Sequence, residues 1–282
     1  MGAGILIAAA TLLIATVHSA EPAARLTVLV DNAVARPGVE AEWGFACLAQ
    51  AHGHTVLLDT GPDPEVLKDN LAALNVDPAR IEAVVISHYH DDHTLGAPGL
   101  AVGKGVPVYT PHSFDRHKKA AAALDAAGLV RVPVTVMTKV FDGITVSEPL
   151  RFGGAIPQGK PGADSKNEQW EWEQCLVVDT PPGLVVIVGC SHPGILAMLE
   201  QVKKESGRPI YLVIGGFHLL YTSLADVRTI ATSMKAMGVT RVSGAHCTGG
   251  AAVAIFRDVF GDHYIDAGVG AVIEVAAPLG GP

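Results

Sequence analysis

The sequence has 282 residues, a mass of 29.2 kDa and a net charge of -8. Apolar residues make up 49% of it and charged residues 17%, which excludes a disordered chain and a long coiled coil. The basic residues are scattered over an acidic chain, which would repel a phosphate backbone, so we expect no nucleic-acid partner. The 12 histidines are the unusual feature, because imidazole binds metals and carries protons near neutral pH.

The first residues contain an uncharged apolar run from Ile5 to Val17, followed by small residues and the polar Glu21. Such a run is typical of a secretory signal peptide and is too short for a membrane-spanning helix. We therefore predict a signal peptide over residues 1–20, a mature domain over 21–282 in the periplasm or secreted, and no stable membrane association after processing. No Lys or Arg precedes the run, which leaves open an uncleaved anchor or a first strand of a cytoplasmic protein. The 4 cysteines are too few for a disulfide framework.

Strand and helix signals alternate along the mature chain. The first part predicts a helix over Pro64–Leu74, capped by Asp63, and four strands: Leu26–Val30, Gly44–Leu48, Thr55–Leu58 and the wholly apolar Ala83–Ile86. The middle predicts strands at Val106–Tyr109, Val132–Val136 and Ile144–Val146, a helix at about Ser113–Ala127, and a loop over Phe152–Glu173.

The second half predicts four more strands and three helices. The helices follow Pro193, cover about Leu224–Met237 and follow Gly249, and the strands are Leu176–Val178, Leu184–Val188, Tyr211–Ile214 and Arg241–Ser243. Two halves of this kind predict one α/β domain in which two sheets pack face to face with helices outside, a four-layer αββα sandwich.

A cluster of metal-ligand types follows the apolar strand that ends at Ile86. His88 and His90 are two residues apart, so their imidazoles converge in an extended turn, and Asp92 and His93 follow at once. Nitrogen and oxygen donors of this kind suit Zn²⁺ or another divalent ion. A polar surface loop rarely concentrates so many ligand types after a buried strand.

These residues match the signature His-x-His-x-Asp-His, and the chain resembles the metallo-β-lactamase superfamily. Asp59, in Leu57–Gly61, matches a motif whose carboxylate supports the ligand loop without binding metal; alone it would be read as an ordinary turn residue. Four further motifs resemble a branch labelled dihydropterin-ribofuranosylaminobenzene-phosphate synthases: Thr27–Asn32, Gly189–Ile195, Ile214–Leu219 and His246–Gly249.

The resemblance implies that His88 and His90 hold one metal, and that Asp92, His93 and His246 hold a second. Cys190 stands where the family has a bridging Asp, and Glu171–Glu173 contains no imidazole where a further His is expected. We therefore predict that His192 completes the first site, with Cys190 close to the metals and Glu173 a weaker candidate. A thiolate favours zinc, as one or two ions. Cys190 as a small core residue and His192 as a helix cap remain alternatives.

The implied reaction is hydrolysis of an ester, lactone, amide or phosphoester. Asp92 would orient the attacking water and carry its proton, and His218 would be a second catalytic or substrate-side residue. We expect a small-molecule substrate that binds at the predicted loop Phe152–Glu173, in contact with Trp170, Trp172 and Glu173. Two other functions remain open: the pterin-pathway transferase that names the branch, and a non-catalytic metal-binding protein. The oligomeric state remains open.

Overall fold

A computed structural model describes residues 21–153 and 170–277. The predicted signal peptide, at residues 1–20, lies outside the described residues, as does the stretch 154–169 of the predicted loop. Within the described parts of the chain, no helix combines the length and the apolar character needed to cross a bilayer.

The first sheet has seven strands in the order β15-β1-β2-β3-β4-β5-β6. The pairs β15–β1, β1–β2 and β2–β3 are antiparallel, and the pairs from β3 to β6 are parallel. The strand bounds are β1 Ala24–Val30, β2 Ala46–Ala51, β3 His54–Leu58, β4 Ala83–Val85, β5 Pro107–Pro111, β6 Val130–Val134 and β15 Val272–Val275.

The second sheet has six strands in the order β14-β13-β12-β11-β8-β7. Here too an antiparallel part, β7, β8, β11 and β12, continues into parallel strands, β12 to β14. Its bounds are β7 Thr138–Phe141, β8 Ile144–Val146, β11 Leu176–Val178, β12 Leu184–Val188, β13 Ile210–Gly216 and β14 Arg241–Ala245. A separate two-stranded ribbon pairs β9, Leu150–Arg151, with β10, Trp172–Glu173.

The helices lie on the outer faces of the two sheets. Alternate residues of β12 show why: Val185 and Ile187 pack between the sheets, whereas Val186 packs under the outer helices. Three apolar clusters therefore separate four layers, as the αββα prediction requires. The helices are α1 Pro64–Ala73, α2 Asp91–Thr94, α3 Lys118–Ala126, α4 Ile195–Ser206, α5 Leu224–Ala236 and α6 Gly250–Phe260.

The structure departs from the predicted elements in a few places. The helix predicted from Ser113 is a 3₁₀ turn, Phe114–Arg116, followed by α3, because His117 takes a non-helical φ of -93° and ψ of 83°. The side chain of His117 instead bonds to Glu171, with Nε2 2.8 Å from Oε2. The strands β7 and β15 were not predicted, since both are short and half-exposed.

The parallel strands of both sheets place their carboxyl ends at one edge of the sandwich. The residues that follow β3, β4, β12, β13 and β14 are the predicted site residues Asp59, His88, Cys190, His218 and His246. Loops at this edge of parallel strands are the usual place for ligand sites in α/β folds. The packing of the two sheets thus brings motifs that are far apart in the sequence to the same edge of the sandwich.

Candidate metal centre

His88 and His90 converge as their spacing predicts, with Nε2 of His88 3.1 Å from Nδ1 of His90. Nδ1 of His88 lies 2.8 Å from the hydroxyl oxygen of Ser87, which itself donates to Asp59 Oδ2 at 2.7 Å. Because the Ser87 hydroxyl donates its hydrogen bond to Asp59, its oxygen accepts from His88. The proton of the His88 imidazole is therefore on Nδ1. Nε2 then carries the lone pair that a metal needs.

His93 is anchored on the same carboxylate. Its Nδ1 lies 2.7 Å from Asp59 Oδ2, and its Nε2 lies 3.2 Å from the Cys190 sulfur. Asp59 Oδ1 also accepts the backbone N–H of Ser87 at 2.7 Å. Asp59 is fully buried and accepts hydrogen bonds from these three donors. It therefore positions the His93 imidazole directly and the His88 imidazole through Ser87.

The Glu173 carboxylate supports His192 in the way that Asp59 supports His93. Its two oxygens accept the backbone N–H groups of Cys190, Ser191 and His192 at 2.7–2.8 Å, and Oε2 lies 3.0 Å from His192 Nδ1. Glu173 is completely buried. Both oxygens of Glu173 are therefore engaged with the Cys190–His192 loop. Its predicted parts in substrate binding and, as a weaker candidate, in metal binding stay predictions.

His246 follows β14 directly and is held from the other sheet. Its Nδ1 lies 3.0 Å from Asn32 Oδ1, and its backbone N–H donates to Asp31 Oδ1 at 2.8 Å. The Trp43 ring covers its edge, with centroids 4.9 Å apart. Nε2 is thereby turned toward Asp92, whose Oδ2 lies 3.2 Å away.

Two sets of three donors have all ligand atoms within 4.8 Å of one another and combine the predicted residues. The first is His88, Cys190 and His192, and the second is His93, Cys190 and His246. His90 lies beside the first set, its ring centroid 4.7 Å from that of His192, and Asp92 lies beside the second, with Oδ2 3.8 Å from His93 Nε2.

These donors fit a divalent metal. His246 Nε2 is buried, and its 3.2 Å contact with Asp92 Oδ2 lacks hydrogen-bond geometry within the described residues, an arrangement that is costly unless another partner satisfies the nitrogen. His88, His93 and His192 each have Nδ1 held by a hydroxyl or carboxylate and belong to the donor groups, the arrangement found around bound metals. The helix-cap alternative for His192 is excluded, because α4 begins with Gly194 as its cap.

The electrostatics of the cluster suit metal binding. Burial, together with the neighbouring imidazoles, lowers the pKa of His88 well below its usual value, so this ligand is neutral. Burial alone would raise the pKa of Asp92, but His93 and His246 outweigh it and hold that pKa below the usual range. Burial likewise opposes the charge on Glu173, yet His192 and the backbone N–H groups lower its pKa to about 2.

Four residues of the centre adopt left-handed backbone conformations although none is glycine. Their φ angles are 56° at Asp59, 66° at Ser191, 53° at His218 and 47° at His246. Each of these conformations costs free energy and persists where the surrounding structure enforces it, as at ligand-binding turns. The strand ends are therefore bent to present specific side chains.

The aromatic residues predicted to bind substrate lie to one side of the cluster. Trp170 is 54% exposed and Trp172 half-buried, and the Arg151 guanidinium packs on both rings, about 5 Å from each centroid. The Trp172 ring packs against His112, with centroids 4.7 Å apart. The Phe152 ring stacks on His192 in the cluster, with centroids 4.3 Å apart.

Several residues of the centre were not predicted. Phe152 and Trp43 are aromatic residues without ligand atoms, and Asn32 was given no role beyond closing the Thr27–Asn32 motif, so their position in the fold reveals their part in the centre. Cys247 follows the predicted ligand His246, and its sulfur lies within 4.8 Å of the ligand atoms of Cys190 and His218. A thiol next to a predicted ligand was the signal available in the sequence.

The comparison with protein families agrees with this geometry. The model of the metallo-beta-lactamase superfamily matches residues 44–204, more than half of the chain. The chain belongs to this superfamily. The matched segment carries the histidine motif, Glu173 and Cys190–His192, whereas His218 and His246 lie beyond it.

Individual proteins are similar to the chain over different lengths. The 7,8-dihydropterin-6-methyl-4-(beta-D-ribofuranosyl)-aminobenzene-5'-phosphate synthase of Methanocaldococcus jannaschii is 28% identical over 246 residues, covering 78% of this chain and 84% of the relative. The solved structure of Tm1679, a metal-dependent hydrolase of the beta-lactamase superfamily, superposes with a TM-score of 0.75 at 31% identity, over 90% of this chain and 99% of that one. A ribonuclease Z from Pyrobaculum neutrophilum is 42% identical over 82 residues, only 27% of this chain and 25% of the relative.

Proposed function

We propose that the protein is a zinc-dependent hydrolase that attacks an ester, lactone, amide or phosphoester bond. The observation that carries this proposal is the pair of donor groups that share Cys190, with Asp92 beside the second one. Membership of the superfamily and the likeness to a metal-dependent hydrolase support it. The thiol of Cys190 favours zinc over harder divalent ions.

Metal ions and protein side chains would contribute different parts of the hydrolytic reaction. These donors would hold divalent ions, which would supply a water that is nucleophilic near neutral pH and a Lewis acid for the oxygen of the scissile bond. Asp92 orients that water through Oδ2, which lies next to His246 Nε2. The lowered pKa of Asp92 keeps it ionised, so it accepts a hydrogen bond from the water at neutral pH.

The substrate reaches the centre past aromatic side chains. Trp43 is 48% exposed and packs against His246, whereas Phe152 is buried against His192. We assign the non-reacting part of a small-molecule substrate to the exposed face of Trp43. We assign a second substrate contact to Trp170 and Trp172, on whose rings the Arg151 guanidinium packs.

The pterin-pathway transferase is the second candidate, because the synthase of M. jannaschii covers most of the chain at 28% identity. It would join a pterin diphosphate to an aryl-ribose phosphate. A non-catalytic metal-binding protein is the third. A hydrolase would release a hydrolysis product, a transferase would form a condensation product, and a binding protein would form neither. One set of assays therefore separates the three candidates.

The experiment uses purified protein, stripped with a chelator and reloaded with Zn²⁺. It is assayed on chromogenic esters, lactones, β-lactams and phosphodiesters, and separately on the two pterin-pathway substrates. We expect zinc-dependent hydrolysis that is lost in His88→Ala and kept in His263→Ala, an exposed histidine outside the cluster. Condensation without hydrolysis would establish the transferase, and metal binding with neither activity would leave a binding protein.

We also propose that residues 1–20 direct export. The apolar run Ile5–Val17 and the small residues after it support this proposal. Intact-mass measurement on protein recovered from its native host tests it. A species lacking about the first twenty residues is expected, and a full-length cytosolic species would contradict the proposal.

A further inference from the structure

A third donor group lies in the centre and contains two thiols and one imidazole. Its members are Cys190, His218 and Cys247, with ligand atoms all within 4.8 Å of one another. Both cysteines are buried, and neither forms a disulfide. The hydrolytic proposal uses Cys190 as a ligand, whereas Cys247 has no part in it and His218 is predicted only as a second catalytic or substrate-side residue.

The two loops that carry this group are joined by backbone contacts. The carbonyl oxygen of Cys247 accepts the N–H groups of Leu219 and Leu220 at 3.1 and 3.2 Å. The Thr248 hydroxyl accepts the N–H of Phe217 at 3.0 Å. The segment around His218 is therefore fixed against Cys247 before any ligand binds.

Glycine makes room for the second thiol. A Cβ at Gly216 would lie 2.6 Å from the Cys247 sulfur, closer than atoms can approach. The missing side chain lets that sulfur lie 3.6 Å from the carbonyl oxygen of Cys190. The two thiols thus face a shared space at the ends of β12 and β14, with His218 from β13 between them in the sheet order.

We propose that Cys190, His218 and Cys247 form a binding site for a thiolate-preferring divalent cation such as Zn²⁺ or Cd²⁺. Two sulfur donors and an imidazole are a soft set that discriminates against Mg²⁺ and Ca²⁺. Binding replaces the S–H protons of both cysteines, which leave to solvent. Because Cys190 also belongs to both hydrolytic groups, a cation in this site competes with them for one sulfur.

The test measures thiolate ligation and does not depend on hydrolysis. Cd²⁺ is titrated into reduced, metal-free protein, and the ultraviolet thiolate-to-cadmium absorption is recorded per bound ion. The parent for this test is His88→Ala with His93→Ala, which removes one imidazole from each of the other two groups. We expect this variant to bind Cd²⁺ with the absorption of two thiolates.

Adding Cys247→Ser to that variant should lower the absorption per bound ion about two-fold or abolish binding, since one of two thiolates is gone. Cys175→Ser, a buried free cysteine in the ribbon region, is the matched control and should leave the absorption unchanged. Equal absorption with and without Cys247 would overturn the proposal, as would a double-histidine variant that is folded by circular dichroism and binds no Cd²⁺.

If the double-histidine variant does not fold, Cys247→Ser in the otherwise unchanged chain decides. The number of sulfur neighbours per ion is measured by X-ray absorption on protein saturated with Zn²⁺. A lower number of sulfur neighbours in Cys247→Ser than in the unchanged chain supports the site, and an equal number refutes it.

Discussion

Oε2 of Glu173 lies 3.0 Å from Nδ1 of His192 and also accepts the backbone N–H of the same residue at 2.7 Å. One buried carboxylate thus fixes both the position and the tautomer of a candidate metal ligand. Supports of this kind are worth about 10- to 100-fold in metal affinity.

Glu173→Gln should therefore weaken zinc binding by about 10- to 100-fold, because the amide nitrogen cannot accept the hydrogen bonds that the second oxygen accepts. Competition with a chromophoric chelator measures the change in Kd. Glu171→Gln is the matched control, since its carboxylate pairs with His117 instead. Equal affinities in the two variants would show that Glu173 does not support the ligand loop.

Gly189→Ala should destabilise the fold and disturb the first donor group. A Cβ there would lie 2.1 Å from Ser87 Oγ and 3.1 Å from Asp59 Oδ2, so it would push apart the pair that anchors His88 and His93. Overpacking of this kind costs about 1–3 kcal/mol. Urea unfolding measures it, with Gly103→Ala, where a Cβ meets nothing within 4 Å, as the neutral control. An unchanged unfolding midpoint for Gly189→Ala would show that this contact relaxes without cost.

Asp92→Asn keeps the size of the side chain and removes its charge. Turnover on any substrate found should fall by about 10² to 10⁴, the range for a lost general acid or base. Metal content should fall by no more than the second ion, because His88, Cys190 and His192 do not include Asp92. Asp91→Asn, at an exposed neighbour paired with Lys119, should retain parental turnover. Parental turnover in Asp92→Asn would require a mechanism built on another base.

From the buried phenol of Tyr264, we predict that the free energy of unfolding falls at alkaline pH. Burial raises the pKa of its phenol to about 12 in the folded chain, and its hydroxyl donates to the Gly244 carbonyl at 3.1 Å. A raised folded pKa stabilises the protein below the unfolded pKa of about 10, and this contribution is lost as the pH rises toward the folded value. Tyr264→Phe should flatten the decline between these pH values in urea unfolding. An identical decline in both proteins would assign it to other groups.

The sequence predicted the layers and the ligand motifs because both have strong local patterns. The wholly apolar β12 could only be buried on both faces, and the spacing of His88 and His90 brings their imidazoles together. The role of Glu173 was missed because its carboxylate acts through contacts with residues 17 to 19 positions later in the chain. Contacts of that range depend on how the ribbon packs against β12, which no local pattern specifies.

The same reason explains Trp43 and Phe152. Each is an ordinary apolar residue in the sequence, and each becomes part of the centre only because two distant turns meet over His246 and His192. The break in the predicted helix at His117 has a related cause, since its bond to Glu171 crosses between separate segments.

The metal content of His88→Ala with His90→Ala, measured by elemental analysis after loading with stoichiometric Zn²⁺, tests the assignment of the metal centre most directly. The control is His54→Ala with His263→Ala, which removes the same number of imidazoles outside the cluster. We expect the control to retain the parental metal content and the cluster variant to lose the ion of the first group. Equal metal in all three proteins would contradict the assignment of this cluster as the metal centre.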